Sequence, residues 1–371
     1  MGASKFPCTS CGADLVFQPG TTSLTCPYCS AQNEIAPTAD ASIDELDFKT
    51  ALAQLDRNAT HVESIEAHCK SCNAHVQMEL NAASQNCPFC GSNLIATNIS
   101  QKLIKPGSLL PFKIDHPRAR ELFRTWLASR WFAPSKLKNL ATLEGDAIYK
   151  GQGVSGLAGL YMPYWTYDCT ATTKYRGERG DDYYVTVPRT VTVNGKRTTQ
   201  MVRERRTRWS SASGIVVNRF DDVLVIASDA LPAKQLSQIE TWDLDALVPY
   251  QDQYLSGFRT QTYTTPLDAG FDVAIQKMDP VIRQTICSDI GGDHQRIHDM
   301  QPSYQRITFK HILVPVWVSA YRYNAKVYRF LINARTGVVT GERPYSAVKI
   351  TFFVLACLVA IAIIASVAAS R

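Results

Sequence analysis

The sequence predicts a multidomain protein: two small ribbons built on cysteine knuckles, an α+β domain and one C-terminal transmembrane helix. Three observations carry that prediction. Eight of the eleven cysteines sit in four C-x-x-C pairs within the first 90 residues. Residues 99–346 mix helical stripes with alternating strand patterns around strong turn signals. Finally, Ile350 to Ala369 is a run of twenty residues without a charge, ITFFVLACLVAIAIIASVAA.

The first part, residues 1–36, carries Cys8, Cys11, Cys26 and Cys29. Residues 66–98 repeat it: adding 61 to each position gives Cys69, Cys72, Cys87 and Cys90. The second knuckles match as well, Cys26-Pro27-Tyr28-Cys29 against Cys87-Pro88-Phe89-Cys90. Two residues between cysteines let one tight turn aim both sulfurs at a single ion, and thiolate is a preferred ligand of Zn²⁺. Gly12 and Gly91 follow knuckles, and Pro27 and Pro88 stiffen the second turns. Each set supplies four ligands and leaves no open position, so two structural Zn²⁺ ions are expected rather than catalytic ones. Iron in a rubredoxin-like site uses similar knuckles. Disulfides need an oxidising compartment, and no apolar signal segment precedes Cys8, so a reducing compartment is expected. Each ribbon is too small for a core of its own, and metal binding is expected to supply most of its folding free energy.

The spacer between the ribbons, residues 37–65, is acidic. From Ala36 to His68 there are seven Asp/Glu against Lys49 and Arg57. Ile43 to Leu52 has the makings of a short amphipathic helix, but a partly ordered spacer is the expectation.

Residues 99–346 form the α+β domain. His116 to Phe132 reads as a helix with Asp115 as N-cap, Pro117 in the first turn and Pro134 as the stop. Tyr183 to Trp209 alternates around Asn194-Gly195, a strong hairpin signal. Leu231 to Phe258 and Pro266 to Ile290 read as mainly helical, and Ile312 to Val339 as strands with a turn at Arg335-Thr336-Gly337. A Pro-x-Trp unit occurs twice, in Tyr161-Met162-Pro163-Tyr164-Trp165 and Leu313-Val314-Pro315-Val316-Trp317, as an old duplication would leave it.

Residues 347–371 form the membrane part. At 1.5 Å per residue, twenty apolar residues span about 30 Å, the thickness of a bilayer core. A run apolar on every face does not suit a helix half-buried in a soluble core. Arg343 and Lys349 flank its N-terminal side, agreeing with positive-inside orientation. The expectation is a single-pass tail anchor in the cytoplasmic (inner) membrane, with the bulk of the chain facing the cytoplasm.

Charge argues against a nucleic-acid clamp. Ribbon 1 has Lys5 against Asp14 and Glu34, and ribbon 2 has Lys70 against Glu79, so neither offers a cationic face. The basic excess lies between Ile99 and Trp209, with twenty Lys/Arg against nine Asp/Glu. It is densest at Lys196, Arg197, Arg203, Arg205, Arg206 and Arg208. On a strand Arg203, Arg205 and Arg208 cannot share one face. A solvated hairpin explains them, and attraction to anionic lipid headgroups is the functional alternative.

Catalytic motifs are thin, and an enzyme is not expected. No G-x-x-x-x-G-K-[ST] phosphate loop occurs. Gly151 to Gly156 fits G-x-G-x-x-G by letters but lacks the preceding apolar strand of a dinucleotide site. His294 and His298 stand at i, i+4, where a helix could offer both to a metal; surface histidines are the simpler expectation.

Several stretches together resemble a family. Leu110-Pro111-Phe112-Lys113, YMPYWTYD (161–168), YRGERGDDYY (175–184), GGDHQRIH (291–298), FKHILVPVW (309–317) and INARTGVVTGERPYS (332–346) look like bacterial membrane-associated zinc-ribbon proteins. Those are often labelled TFIIB-type zinc-ribbon proteins, or relatives of the replication-restart helicase primosomal protein N′. Helicase activity is not carried over, because the phosphate loop is missing. The resemblance implies a membrane adaptor that recruits proteins, with SPFH-type scaffold or phage-shock proteins as partners in envelope stress or membrane maintenance. The expected function is therefore a membrane-anchored cytoplasmic zinc-ribbon adaptor mediating protein–protein interaction. Its rivals are a nucleic-acid-binding zinc-ribbon protein and a membrane-bound enzyme.

Overall fold

Three strands of unusual length organise the body. The computed structural model describes residues 6–36, 43–57, 61–68, 75–77, 84–86, 93–95, 97–102, 104–134, 155–193, 196–229, 231–323 and 326–369. In chain order, the N-terminal strands are β1 (Val16–Phe17), β2 (Ser23–Thr25) and β3 (Gln32–Glu34). β4 (Leu46–Asp47) and helix α1 (Phe48–Arg57) come next. Then come β5 (His61–His68), β6 (His75–Gln77), β7 (Ser84–Asn86), β8 (Asn93–Ile95) and β9 (Thr97–Lys102). The body contains β10 (Ser108–Leu109), α2 (His116–Ala128), β11 (Ser155–Val193), β12 (Lys196–Ile226) and α3 (Ala233–Ile239). It continues with β13 (Val248–Pro249), β14 (Arg259–Thr260), α4 (Leu267–Ile290), β15 (His294–Tyr323), β16 (Lys326–Asn333) and β17 (Val339–Gly341). Helix α5 (Ala347–Ala369) closes the order.

β11 runs antiparallel to β12 on one side and to β15 on the other, in a sheet ordered β12-β11-β15-β10-β13. The two Pro-x-Trp units are neighbours in it: Tyr161 pairs with Pro315 and Pro163 with Leu313. Burial along β11 falls in three steps. From Tyr161 to Cys169 every residue is buried, because both faces are covered. Leu160, Met162 and Tyr164 pack with α3 through Leu236 and Ile239, while Tyr161 packs with α2 and the N-terminal ribbon. From Ala171 to Gly177 burial alternates, since only the face under α4 is covered. There Ala171 and Tyr175 meet Met278, Ile282 and Ile286, the inward stripe of α4. Gly270 lets α4 approach the sheet, for a Cβ there would collide with the Tyr167 hydroxyl and Trp165. Beyond Gly180 neither β15 nor α4 continues, and β11 and β12 form a bare two-stranded arm.

Both neighbours of β11 carry an extra residue beside Asp168. The register slips between Tyr167 and Cys169 on the β12 side and between Asp168 and Thr170 on the β15 side. Asp222 and Arg306 take left-handed φ of 50° and 52° at these bulges. The bulges re-aim Asp222 toward Asp168 and Lys310.

The helix at α2 starts as the sequence predicts, with Asp115 accepting from the Arg118 amide at 2.9 Å. Two expectations change. Residues 231–258 are only partly helical, because after Ile239 the chain passes through one-turn 3₁₀ segments and β13, which pairs with β10. The acidic spacer is docked rather than loose: β4 pairs with β15, and Phe48 is buried against Tyr167 and Phe271. Sheet pairing and one buried ring outweigh the polar composition there.

Candidate metal centre

The N-terminal ribbon is two copies of one turn. In the first, Cys8 N–H donates to the Ala13 carbonyl at 2.7 Å and Gly12 N–H to the Cys8 carbonyl at 2.9 Å. In the second, Cys26 N–H donates to Ala31 at 2.9 Å and Ser30 N–H to Cys26 at 3.0 Å. Each knuckle ends in a left-handed residue, Gly12 at φ 74° and Ser30 at φ 61°. Glycine reaches that region without strain; serine does not, and sequence alone does not flag Ser30 because its letter carries no such signal.

These turns converge four sulfurs. Cys8 Sγ lies 3.6 Å from Cys29 Sγ and Cys11 Sγ 3.5 Å from Cys26 Sγ, with all four sulfurs within 4.8 Å of one another. Zn–S bonds of about 2.3 Å place the corners of a tetrahedron roughly 3.8 Å apart. A disulfide needs about 2.05 Å, and all four cysteines are free. The set therefore fits one metal ion held entirely by the chain.

Backbone amides tune the thiols unequally. Ser10 N–H, 3.4 Å from Cys8 Sγ, and then the Cys11 amide lower Cys8 to about 6. Cys26 is lowered, first by the Cys29 amide. Cys29 is pushed up to about 12 by the neighbouring thiols, which outweigh the Ala31 amide acting in the opposite direction. Such a set holds its last protons until a cation takes their place.

The ribbon is welded to the body. Phe17 is buried against Tyr254 and Phe258, at ring distances of 5.2 and 6.3 Å. Phe17 N–H donates to the Ser256 carbonyl at 3.0 Å, and Gly20 N–H to Phe112 at 2.8 Å. Leu15, Leu24, Cys26 and Ile35 belong to the same core as Leu109 and Tyr161.

Cys69, Cys72, Cys87 and Cys90 lie outside the described residues, but the strands around them are described. Thr25 pairs with Gln32 across the Cys26/Cys29 knuckle, and Asn86 pairs with Asn93 across Cys87/Cys90. Pro7 bridges Asp14 across the first knuckle, and His68 pairs with His75 across Cys69/Cys72. Every one of these positions is offset by 61, so the backbone repeats the register of the first ribbon.

The other candidates separate. His294 and His298 lie on a strand, not a helix, so four residues put them about 13 Å apart. His294 Nε2 sits 3.2 Å from Asp182 and His298 Nε2 3.5 Å from Glu178, which rules out one shared ion. Most of 151–156 falls outside the described residues; the chain leads from there into β11, where a dinucleotide loop needs a helix. On the arm, Arg203 and Arg205 occupy one face and Arg206 and Arg208 the other, with Arg203 stacked 4.3 Å over Tyr184.

One cluster had no sequence signal at all. Lys310 Nζ lies 2.7 Å from Asp222, 3.3 Å from Glu45 and 3.9 Å from Asp168. Burial, then the adjacent Glu45 carboxyl, pushes Asp168 up to about 7. Glu45 itself is lowered, first by its contact with Asp168 and then by Thr308. The four residues are scattered over 265 positions of the chain.

No family model and no solved structure matches this chain. It is similar to a Bacillus subtilis (strain 168) protein described as uncharacterized protein YdjG. The two are 23% identical over 357 residues, 93% of this chain and 92% of YdjG. The similarity to YdjG thus extends well beyond the cysteine segments.

Proposed function

We propose that the protein is a membrane-anchored zinc-ribbon adaptor that faces the cytoplasm and acts by holding partner proteins. The observation that carries this reading is the closed set of four thiols at Cys8, Cys11, Cys26 and Cys29, which leaves no position for substrate. The 61-residue repeat of strand register supports a second ion at Cys69, Cys72, Cys87 and Cys90. Helix α5 supports the anchor: Ala347–Ala368 is long and apolar enough to cross a bilayer and is unburied. The resemblance to membrane-associated zinc-ribbon proteins points to SPFH-type or phage-shock proteins as partners.

Metal analysis of the full chain tests the first half: two zinc ions per chain are expected, and one in Cys87→Ser/Cys90→Ser. Iron, with its visible absorbance, in place of zinc would change the metal. A pull-down from membranes with the same variant tests the second half. Loss of partners is expected, because on this reading the second ribbon supplies the recruiting surface; unchanged partners in a folded variant sink the adaptor.

The arm's arginines favour one rival, nucleic-acid binding. That reading demands affinity of the full chain for DNA or RNA that falls steeply with salt.

A further inference from the structure

Where α5 leaves the body, the chain is fastened to the turn that follows α2. Ser346 N–H donates to the Phe132 carbonyl at 2.8 Å, and Lys349 Nζ to the Ala133 carbonyl at 2.8 Å. The Phe353 ring sits 5.5 Å from Phe132, edge to face. Lys349 precedes the uncharged run, so this junction marks the boundary between headgroups and hydrocarbon. Trp131 and Tyr345, 73% and 61% exposed, adjoin the bonded pair Phe132 and Ser346 in sequence, and amphipathic rings suit such a boundary.

A cavity of about 620 Å³ opens beside this junction, between the end of α2, β17 and the segment leading into α5. Its size is that of a small-molecule site. Trp126, Tyr328 and Tyr345 supply rings; Arg130 and Arg343 supply two guanidinium groups; Glu342 supplies one carboxylate. Arg130 Nε is held by the Trp126 carbonyl at 3.2 Å and Ser129 Oγ at 3.1 Å, which leaves its terminal nitrogens to donate elsewhere. Arg343 stacks 5.4 Å over Tyr345. Among the described residues neither arginine forms an ion pair. Two guanidinium forks against aromatic walls suit a phosphate oxygen set.

We infer that this cavity binds the phosphate of an anionic phospholipid headgroup, with Arg130 and Arg343 as its ligands and the aromatic rings as its walls. The inference rests on the reading of α5 as a membrane helix. Basic pockets on the cytoplasmic side of membrane helices bind anionic headgroups by the same chemistry. Phosphatidylcholine carries a phosphate too, but its choline cancels the charge, so a net anionic headgroup gains most.

The test uses the full chain in an uncharged detergent, with unfolding followed by tryptophan fluorescence. Short-chain phosphatidylglycerol near saturation is expected to raise the midpoint by on the order of 5 °C. Phosphatidylcholine is expected to give a much smaller shift. Arg130→Gln/Arg343→Gln should lose the phosphatidylglycerol response, and Arg130→Lys/Arg343→Lys should keep part of it. Equal responses to the two lipids, or an unchanged response in the Gln variant, overturn the inference. So does inorganic phosphate giving the full shift, since the ligand is then a soluble anion. If the Gln variant does not fold, native mass spectrometry of the wild type decides: retained phosphatidylglycerol supports the pocket, and indifferent retention of both lipids removes it. Flotation of the full chain with neutral vesicles separates the two failures. A chain that does not float loses the membrane helix and the pocket together; one that floats without headgroup preference loses the pocket alone.

Discussion

The same two strands, β11 and β12, behave as core at one end and as surface at the other. Between Tyr161 and Cys169 every β11 side chain is buried, yet from Asp181 to Thr190 none is. Pairing with β12 is common to both ends, running from Tyr164 to Val193 with one bulge at Asp168. What differs is cover: β15, α3 and α4 pack the inner end and stop before the arm. Ladder hydrogen bonds alone contribute modestly to stability, whereas burial of large side chains contributes strongly. The inner half therefore holds the molecule together, and the arm is free to present side chains.

The sharpest way to break that comparison is to truncate one aromatic residue in each half. Trp165→Ala is expected to cost about 4 kcal/mol, from lost burial and the cavity left behind. Tyr184→Ala, on the exposed arm, should cost under about 1 kcal/mol. Chemical denaturation of both variants checks this, and equal losses would show that the arm is covered in the native state.

Charges give the second contrast. Lys310→Ala leaves three carboxylates around a largely buried site, with an expected cost of about 3 kcal/mol. Arg205→Ala breaks an exposed pair with Asp182, for about 0.5 kcal/mol. The same denaturation curves rank the two.

A third contrast lies in pH. The raised Asp168 holds its proton in the folded state until pH approaches about 7, so its contribution is full below the ordinary aspartate range and is lost as pH rises from there through about 7. The lowered Glu45 contributes above the ordinary glutamate range and fades only as pH falls through its folded value. Protection of the Phe48–Arg57 amides from hydrogen exchange, corrected for intrinsic rate, should therefore decline as pH rises from about 5 to about 7 and level off above it. Asp168→Asn should flatten that decline, while arm amides show no such step. A decline unchanged in Asp168→Asn would move its cause elsewhere.

The smallest effect compares the two knuckles. Ser30→Gly gives the second turn the residue already present in the first, and about 1 kcal/mol of stabilisation is expected. A thermal melt of the zinc-loaded chain reads it; no gain would mean the Ser30 side chain repays its strain locally.

Features set by neighbours in sequence were legible from the residues alone. The cysteine spacing, the Asp115 cap, the hairpin around 194–195 and the apolar run all express local geometry. The inferred ions themselves rest on that spacing and chemistry. Features set by distant partners were not legible. His294 and His298 misled because an interval of four is compatible with one face of a helix and also one face of a strand. Phe48 sat in an acidic spacer and gave no hint of its pocket between Tyr167 and Phe271. Glu45, Asp168, Asp222 and Lys310 meet only because two bulges bend the sheet at one level. Arg130 and Arg343 likewise line one cavity from positions more than two hundred residues apart.

The fastening of α5 at Phe132 and Ala133 has a mechanical consequence. A span on a loose tether can lean as the bilayer thins or thickens, with no strain passed to the body. Here the helix is about 34 Å long, slightly more than a typical hydrocarbon core, and its first turn is bolted to the turn that follows α2. On the reading of α5 as a membrane helix, any lean becomes a torque on that bolt, and the body acts as the lever's fixed end.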